Sequence, residues 1–421
     1  MPGAARWLNR EVTTPEPESK LARLLVVLGI VALAFNLRPA AVSVGPVLDE
    51  VSDGLGMHAA ETGLLTALPV LSFATMGALA PRVARLVGVH RAALLALVLV
   101  TLGLAVRSTV DEPVTFLVLS FLALAGMAVA NVLLPSLVKL HFPGRVGLLT
   151  AIYSTALAIG LSSASVLTVP VAEIGDGPLD WRRGLAVWAG TAVIAMLPWF
   201  GLVRHDRKER AEHGPISTGQ VARTRLGWLM ALFFGLQSLQ AYSIFGWLAK
   251  VFRDAGSSAS EAGLLLGITT AISIPLSFAI PSLAARVRNQ RLLLTAIMVW
   301  YPIGYLGLIL VPDRASWFWA LSVGIGACTF PFILTLIGLR ARTPAGTAAL
   351  SGFTQSTGYL IAALGPFGVG VLHDASDGWT LPLTVLLALC VPQYLIGLMT
   401  ARPAYVEDEL DERKPPATLN V

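Results

Sequence analysis

Charged residues are scarce in this chain of 421 residues. Lys, Arg, Asp and Glu make up 13% of it, which is about half of the roughly 25% that is typical of soluble proteins. Hydrophobic residues make up 55%, and the mean hydropathy is +0.72. Because so few polar side chains cannot cover the molecule in water, the composition excludes a soluble protein and indicates a chain that crosses a lipid bilayer several times.

Groups that carry enzyme chemistry are also missing at membrane depth. The two cysteines, Cys328 and Cys390, lie in apolar stretches without neighbours at metal-ligand spacing, so we expect buried thiols, no metal and no cofactor. No Asp or Glu falls deep in an apolar stretch, and the His residues fall near loops. We therefore predict that the protein is not an enzyme, and that any proton relay uses Glu61, Glu261 or His373 near one face of the membrane.

Twelve apolar stretches are long enough to cross a membrane as helices. The first twenty residues contain three Pro and no apolar core before a cleavage site, so they are not a signal peptide. The predicted spans are Leu21–Val51, Glu61–Ala80, Ala92–Val106, Val114–Val138, Gly147–Ala172, Gly184–Val203, Leu226–Val251, Glu261–Ala284, Leu292–Val311, Trp317–Leu339, Thr347–Leu372 and Leu381–Thr400.

The distribution of Lys and Arg predicts the orientation. With the N-terminus in the cytoplasm, 23 of the 30 basic residues fall in cytoplasmic segments and six fall at the outer ends of helices, Arg107 among them. Positively charged loops resist translocation, so we expect both termini to be cytoplasmic in a multi-pass protein of the bacterial cell membrane. Because the basic residues are spread over these loops, the isoelectric point of about 9.4 does not indicate nucleic-acid binding.

The chain divides into two related halves. A 200-residue shift aligns positions 48–65 with 248–265, and eight of the eighteen residues are identical. We expect a disordered cytoplasmic tail over 1–20, a six-helix bundle over 21–203, a cytoplasmic linker over 204–225, a second six-helix bundle over 226–401 and a cytoplasmic tail over 402–421. Duplicated halves of this kind are typical of transporters that expose a central site alternately to the two sides.

Arg38 is the one ionisable residue predicted within a span. A charge inside a bilayer costs a few kcal/mol at least, so it marks a functional site by default. Because no acidic residue is predicted near it, we expect the guanidinium to face a central cavity and to bind an anion. The alternative is a structural role, in which Arg38 hydrogen-bonds carbonyl groups freed near Pro39 and Pro46.

Neutral polar and aromatic residues complete the candidate site. They lie on several different spans, and this distribution is more specific than any single member, although each residue type is also typical of hydrogen bonds between helices. With Arg38, the candidate substrate-binding residues are Asn36, Asn131, Tyr153, Gln237, Gln240, Trp247, Thr329, Gln355 and Tyr359.

Several stretches resemble the major facilitator superfamily. The chain has two six-helix halves, the sequence NLRPA around Arg38, and a basic loop, GALAPRVARLVGVHR, between the second and third spans. In that loop Gly77, Arg82 and Arg85 are similar to the superfamily's loop motif, which acts in gating, but Pro81 stands where an Asp is usual. The resemblance implies an all-α membrane protein, with twelve transmembrane helices in two pseudo-symmetric six-helix bundles.

Within the superfamily, the chain is similar to the cyanate porter family, which includes cyanate and nitroimidazole transporters. The similarity lies in LRPAAVSVGPVL, LPSLVKLHFPGRVGLLTAIYS, GLQSLQAYSIFGWLAKVFRDAG and QSTGYLIAALGP. It implies that spans one, four, seven and ten line a central cavity, with spans five and eleven beside them.

The sequence therefore predicts a secondary active or facilitative transporter of a small anion or small polar solute. We expect alternating access around a site near Arg38, with membrane lipid and the small molecule as partners and with function as a monomer. The alternative in the same fold is an exporter of small drug-like or nitroaromatic compounds, for which the aromatic residues matter more than Arg38.

Overall fold

The computed structural model describes residues 20–142, 145–175, 177–203 and 217–411. Apart from Lys20, the predicted N-terminal tail lies outside these residues, and so do residues 204–216 of the predicted linker. In the described part of the chain every regular element is helical. This confirms the prediction of an all-α membrane protein.

The first half contains spans 1 to 6. Span 1 is a series of short elements: helices Lys20–Asn36 and Pro39–Val42, a 3₁₀ turn at Gly45–Val47, and helix Leu48–Leu55. The other spans in this half are single helices. Span 2 is Ala59–Val87, span 3 is Val89–Arg107, span 4 is Pro113–His141, span 5 is Val146–Ala172 and span 6 is Trp181–Leu202.

The second half contains spans 7 to 12, preceded by the short helix Thr218–Val221 and followed by the C-terminal helix Val406–Asp411. Span 7 is Arg225–Asp254 and span 12 is Thr380–Thr400. The four spans between them are helix pairs: span 8 is Ala259–Ala271 with Ser273–Arg286, span 9 is Arg291–Met298 with Trp300–Leu310, span 10 is Ser316–Ala327 with Thr329–Leu339, and span 11 is Pro344–Ala362 with Leu364–Ser376.

Each of these four breaks precedes a proline by three residues. The breaks lie at Ile272, Val299, Cys328 and Ala363, and the prolines are Pro275, Pro302, Pro331 and Pro366. Proline has no amide hydrogen, and its ring clashes with the carbonyl one turn earlier, so the helix kinks on its N-terminal side. The second half therefore has bends at four regular places.

The connection between spans 2 and 3 is shorter than the sequence suggested. We expected a loop of about a dozen residues, but the helix of span 2 continues to Val87 and span 3 begins at Val89. Only Gly88 connects them, with φ of 95°, a value that side chains disfavour. The sequence prediction was wrong here because the charged residues that suggested a loop extend a helix.

The C-terminal helix Val406–Asp411 covers the beginnings of two spans. The Glu409 carboxylate accepts hydrogen bonds from the backbone N–H groups of Arg225 (2.6 Å) and Leu226 (3.2 Å) at the start of span 7. Glu407 Oε1 accepts from the N–H groups of Arg342 and Thr343, both at 3.0 Å, just before span 11. Burial alone would raise the pKa of Glu407, but these hydrogen bonds hold it below its usual value.

Candidate functional site

The candidate site lies at the break in span 1. Leu37 and Arg38 form a turn between two helices, because Pro39 has no N–H to donate and its ring clashes with the carbonyl one turn earlier. Pro39, Ala40 and Val42 are buried. Irregular backbone within a membrane is tolerated only inside the protein or beside a cavity, so this break belongs to the molecule's interior.

Arg38 is half-buried at this break. Its Nη1 donates a hydrogen bond to the Tyr242 hydroxyl of span 7 (3.4 Å), and its Cζ lies 5.8 Å from the centroid of the Phe73 ring of span 2. No acidic residue in the described part of the chain forms an ion pair with it. The guanidinium is therefore a positive charge with most of its hydrogen-bonding capacity free for a ligand.

Aromatic rings from both halves surround Arg38. Tyr359 of span 11 stacks on Phe73 at 5.1 Å with an interplanar angle of 18°, and it meets Phe234 of span 7 edge to face, also at 5.1 Å. Phe330 of span 10 lies 5.8 Å from Phe234. We call these residues, with Tyr242, the aromatic cluster: Phe73, Phe234, Tyr242, Phe330 and Tyr359.

A small pocket lies beside the aromatic cluster, between spans 1, 2 and 7. Its wall is mainly apolar, with the Tyr242 and Thr66 side chains as its polar groups. The lining residues are Ala41, Val44, Gly45, Leu65, Thr66, Pro69, Tyr242, Phe245 and Gly246. Arg38 does not line this pocket, and Tyr242 is its one member of the aromatic cluster. A guanidinium beside flat rings favours a small ligand that combines negative charge with a planar shape.

The two glutamines of span 7 point away from Arg38. Gln237 donates to the carbonyl of Ala327 (2.9 Å) and accepts from Gln393 Nε2 (2.7 Å). Gln240 donates to the carbonyl of Leu386 (2.9 Å) and accepts from the Tyr305 hydroxyl (2.6 Å). Both side chains are fully buried against spans 9, 10 and 12, so their hydrogen bonds hold the second bundle together.

Three other candidates form bonds inside one half. The Asn36 amide accepts from the Thr191 hydroxyl of span 6 (2.7 Å). The Trp247 ring N–H donates to the carbonyl of Pro366 (2.9 Å), and the Thr329 hydroxyl donates to the carbonyl of Gly326 (2.8 Å). Asn36 links span 1 to span 6, and the glutamines link span 7 to span 12. These two pairs of spans hold corresponding places in the two halves.

The remaining candidates are less enclosed. Asn131 is half-buried in span 4, and its amide has no hydrogen-bond partner among the described residues. Gln355 donates to the Ser351 hydroxyl one turn earlier (2.7 Å) and is also half-buried. Tyr153 is half-buried in span 5 and contacts the hydrophobic core. Gly77, Arg82 and Arg85, from the loop motif, belong to the helix of span 2, and the side chains of the two arginines lie outside the described part of the chain.

Two residues that contact Arg38 were not among the candidates predicted from the sequence, Phe73 and Tyr242. Tyr242 follows Gln237 by five residues, or about 140° around an ideal helix. It therefore lies on the opposite side of span 7 from the residues that the polarity pattern selected. An aromatic residue two positions after Gln240 was the available signal, but a search for hydrogen-bonding amides passes over it.

Charged residues join the two halves at one end of the molecule. Lys250 Nζ lies 2.7 Å from Asp49 Oδ1, and Arg253 forms two hydrogen bonds to the Glu50 carboxylate at 2.7 and 2.8 Å. Lys250 also lies 3.4 Å from Asp254. We call Asp49, Glu50, Lys250, Arg253 and Asp254 the inter-half ion cluster.

Spans 1 and 7 approach each other closely next to this cluster. A Cβ atom on Gly45 would lie 2.7 Å from the carbonyl oxygen of Phe245, and one on Gly246 would lie 2.9 Å from the Thr66 side chain. Side chains at these positions would push the halves apart. The ion cluster and the glycines thus close the end of the molecule that carries Asp49 and Lys250.

Gln240→Leu should lower the free energy of unfolding by about 1–3 kcal/mol, because it leaves the buried Tyr305 hydroxyl without its acceptor. Thermal unfolding of the purified protein measures this loss. Gln355→Leu is the matched control, since that residue is half-buried and bonds within one helical turn. A loss no larger in Gln240→Leu than in the control would contradict the structural role.

The chain is similar in sequence to known membrane transporters. The family model of the Major Facilitator Superfamily matches residues 24–366. The 2-nitroimidazole transporter of Escherichia coli (strain K12) is 34% identical over 389 residues, which cover 90% of this chain and 96% of that protein. The cyanate transport protein CynX of the same organism is 30% identical over 379 residues, which cover 89% and 95%.

A solved structure shares the fold. The crystal structure of a bacterial homolog of the human lysosomal transporter Spinster, in an inward-facing and occupied conformation, matches with a TM-score of 0.75. The match covers 95% of this chain and all of that one, at 14% sequence identity. At this identity the likeness shows the fold alone.

Proposed function

The chain belongs to the major facilitator superfamily, and from this premise we propose that it carries a small planar anion across the bacterial cytoplasmic membrane. It is a multi-pass membrane transporter of small solutes, similar to cyanate and nitroimidazole transporters, and it is not an enzyme. The identity of the solute is the proposal. The proposal rests on Arg38, whose guanidinium has no carboxylate partner among the described residues. It lies at the break in span 1, in contact with span 7 of the other half.

The charge of the substrate follows from Arg38. A half-buried guanidinium binds an anion with paired hydrogen bonds, and the low dielectric of the interior strengthens that attraction. Its one hydrogen-bond partner among the described residues, the Tyr242 hydroxyl at 3.4 Å, forms a long bond that a ligand can replace. Asn131 of span 4 and Gln355 of span 11, both half-buried, are proposed as further hydrogen-bond donors to the ligand.

The shape of the substrate follows from the aromatic cluster. Phe73 and Tyr359 stack almost in parallel next to the guanidinium, and Tyr242 and Phe234 add ring edges. Flat, conjugated molecules gain most from such a lining. Cyanate, a linear anion, and nitroimidazole, a flat ring, are named for two relatives, and both are small and conjugated.

We propose alternating access as the mechanism. With the N-terminus in the cytoplasm, as the basic residues indicate, the inter-half ion cluster lies on the outer face, and this conformation is closed to the outside. Outward opening then requires the ion pairs between spans 1 and 7 to separate, with the two halves moving about the site at Arg38.

Flux measurements in proteoliposomes test the proposed substrate class. We expect current with cyanate and benzoate, and uptake of benzoate about three- to tenfold better than that of cyclohexanecarboxylate, which has the same charge but a puckered ring. A pH gradient should not be required, because no acidic residue in the described structure forms an ion pair with Arg38. Equal uptake of the two carboxylates would contradict the planar site.

The aromatic cluster also favours a second function, the export of small nitroaromatic compounds. That function relies on the rings and not on the charge of Arg38. Transport of neutral 2-nitroimidazole without any anion-dependent current would favour it over the anion carrier.

A further inference from the structure

Arg107 is a second buried arginine within the first half. It is the last residue of span 3, at the helix end where the sequence placed it, and it is 0% exposed. Its side chain packs between spans 1 and 4 and does not extend toward the membrane surface. Arg107 is one of the largest fully buried side chains in the described structure.

The contacts of Arg107 are few for a guanidinium. Nη1 donates to the carbonyl of Ala40 in span 1 (3.4 Å) and to the Ser120 hydroxyl in span 4 (3.3 Å). Its Cζ lies 5.7 Å from the centroid of the Phe116 ring. Nε and Nη2 have no hydrogen-bond partner, and no acidic residue in the described part of the chain pairs with this arginine.

Burying such a charge is costly. A guanidinium without a carboxylate partner loses its hydration and gains little in return, so an apolar side chain of similar size would stabilise the bundle better. The positive end of Arg107 lies at the C-terminus of span 3, where the helix dipole offers a small compensation. We therefore look for the role of this arginine in the group to which its guanidinium donates.

That group is the carbonyl of Ala40, which is part of the break in span 1. Helix Pro39–Val42 ends at once, and no backbone N–H in the described structure bonds to the carbonyl of Ala40. Arg107 supplies the missing donor. Ala40 lies two residues after Arg38, so a shift of this segment moves the Arg38 guanidinium relative to Phe73 and Tyr242.

We propose that Arg107 is a positioning residue, which fixes the break in span 1 by its bond to the carbonyl of Ala40 and so holds Arg38 in place for the ligand. This inference rests on the proposed function of Arg38. It assigns to Arg107 no contact with the transported molecule. Arg107 acts through the backbone of span 1, while Arg38 binds the charge.

Hydrogen exchange of residues 37–47, followed by mass spectrometry, tests the backbone contact without any substrate. Arg107→Met should raise exchange in this segment about three- to tenfold, because the lost bond has a charged donor but is long at 3.4 Å. Arg107→Lys, which keeps a charged donor, should restore part of the protection. Ser120→Ala removes the other partner of Nη1 and should leave the segment as it is in wild type.

Benzoate uptake by the same variants tests the effect on Arg38. Arg107→Met should raise KM about tenfold, with Arg107→Lys between it and wild type, while a bundle that is merely less stable yields less protein at unchanged KM. Unchanged exchange over 37–47 in folded Arg107→Met protein overturns the positioning role. Changed exchange with no benzoate uptake even in wild type keeps the backbone contact but contradicts the proposed function.

Discussion

Arg38→Gln should reduce anion flux on the order of 100-fold while leaving a folded protein in the membrane. The substitution removes the charge that binds the substrate, and the loss of a charge-assisted, paired hydrogen bond in a half-buried site is worth about 3 kcal/mol. The fold should tolerate it, because Arg38 forms one long hydrogen bond and no ion pair in the described structure. Current and benzoate uptake in proteoliposomes measure the effect.

Two further variants separate charge from geometry. Arg38→Lys keeps the charge but not the planar fork, so its flux should lie between those of wild type and Arg38→Gln. Arg314→Gln makes the same charge change at an exposed position between spans 9 and 10, and it should transport like wild type. Anion flux that survives in Arg38→Gln would make Arg38 a structural residue and would favour the exporter of nitroaromatic compounds.

Arg253→Glu should open the closed end of the molecule. Arg253 and Glu50 are each about one-fifth exposed and form two short hydrogen bonds across the halves, so the pair is partly shielded from water. Replacing its attraction by repulsion, with Asp49 also 3.7 Å from Arg253, should shift the equilibrium toward the open state about 10- to 100-fold. Spin labels at Thr109→Cys and Asp313→Cys report the change as a longer distance.

Two control variants change residues that form ion pairs in the structure. Glu50→Arg combined with Arg253→Glu restores an ion pair in reverse order and should return the distance toward that of wild type. Arg182→Glu breaks an ion pair with Asp111 at the same end but inside the first half, so it should not change the distance. If Arg182→Glu lengthens the distance as much as Arg253→Glu does, the inter-half ion cluster is not the gate.

The fold was largely predictable because a lipid-spanning helix needs a long apolar stretch and leaves a strong signal. Eleven segments of the described chain are long and apolar enough to cross a membrane, and span 11 occupies the remaining place as a kinked pair of helices. The repeat was also visible in the sequence, and its positions that differ are informative as well as those that are identical. Glu50 aligns with Lys250, so the two copies have opposite charges at this position where the halves meet.

The site was less predictable, because helix packing decides which face of a span meets the cavity. Gln237 and Gln240 are polar residues in the right span, yet their amides hydrogen-bond to spans 9, 10 and 12. Polarity alone does not distinguish a ligand contact from a bond between helices. Arg38 was identifiable because a charged residue in mid-span is costly and therefore rare. Phe73 and Tyr242, in contrast, resemble ordinary core residues.

Arg107 shows a second limit. A basic residue in the last turn of a helix usually extends to the membrane surface, and the sequence offers no sign that this one does not. Its burial follows from Phe116 and Ser120 of span 4 and from the break in span 1, which together surround the guanidinium. These contacts join residues that are distant in sequence, so no local pattern predicts them.

The C-terminal helix Val406–Asp411 decides where this protein tolerates engineering. Its glutamates supply acceptors for four backbone N–H groups at the starts of spans 7 and 11. A truncation before Val406 strips both helix starts of these acceptors, and a bulky fusion partner attached inside the helix pulls them away. A fluorescent reporter or purification tag therefore belongs after Asp411, beyond the residues that make these contacts.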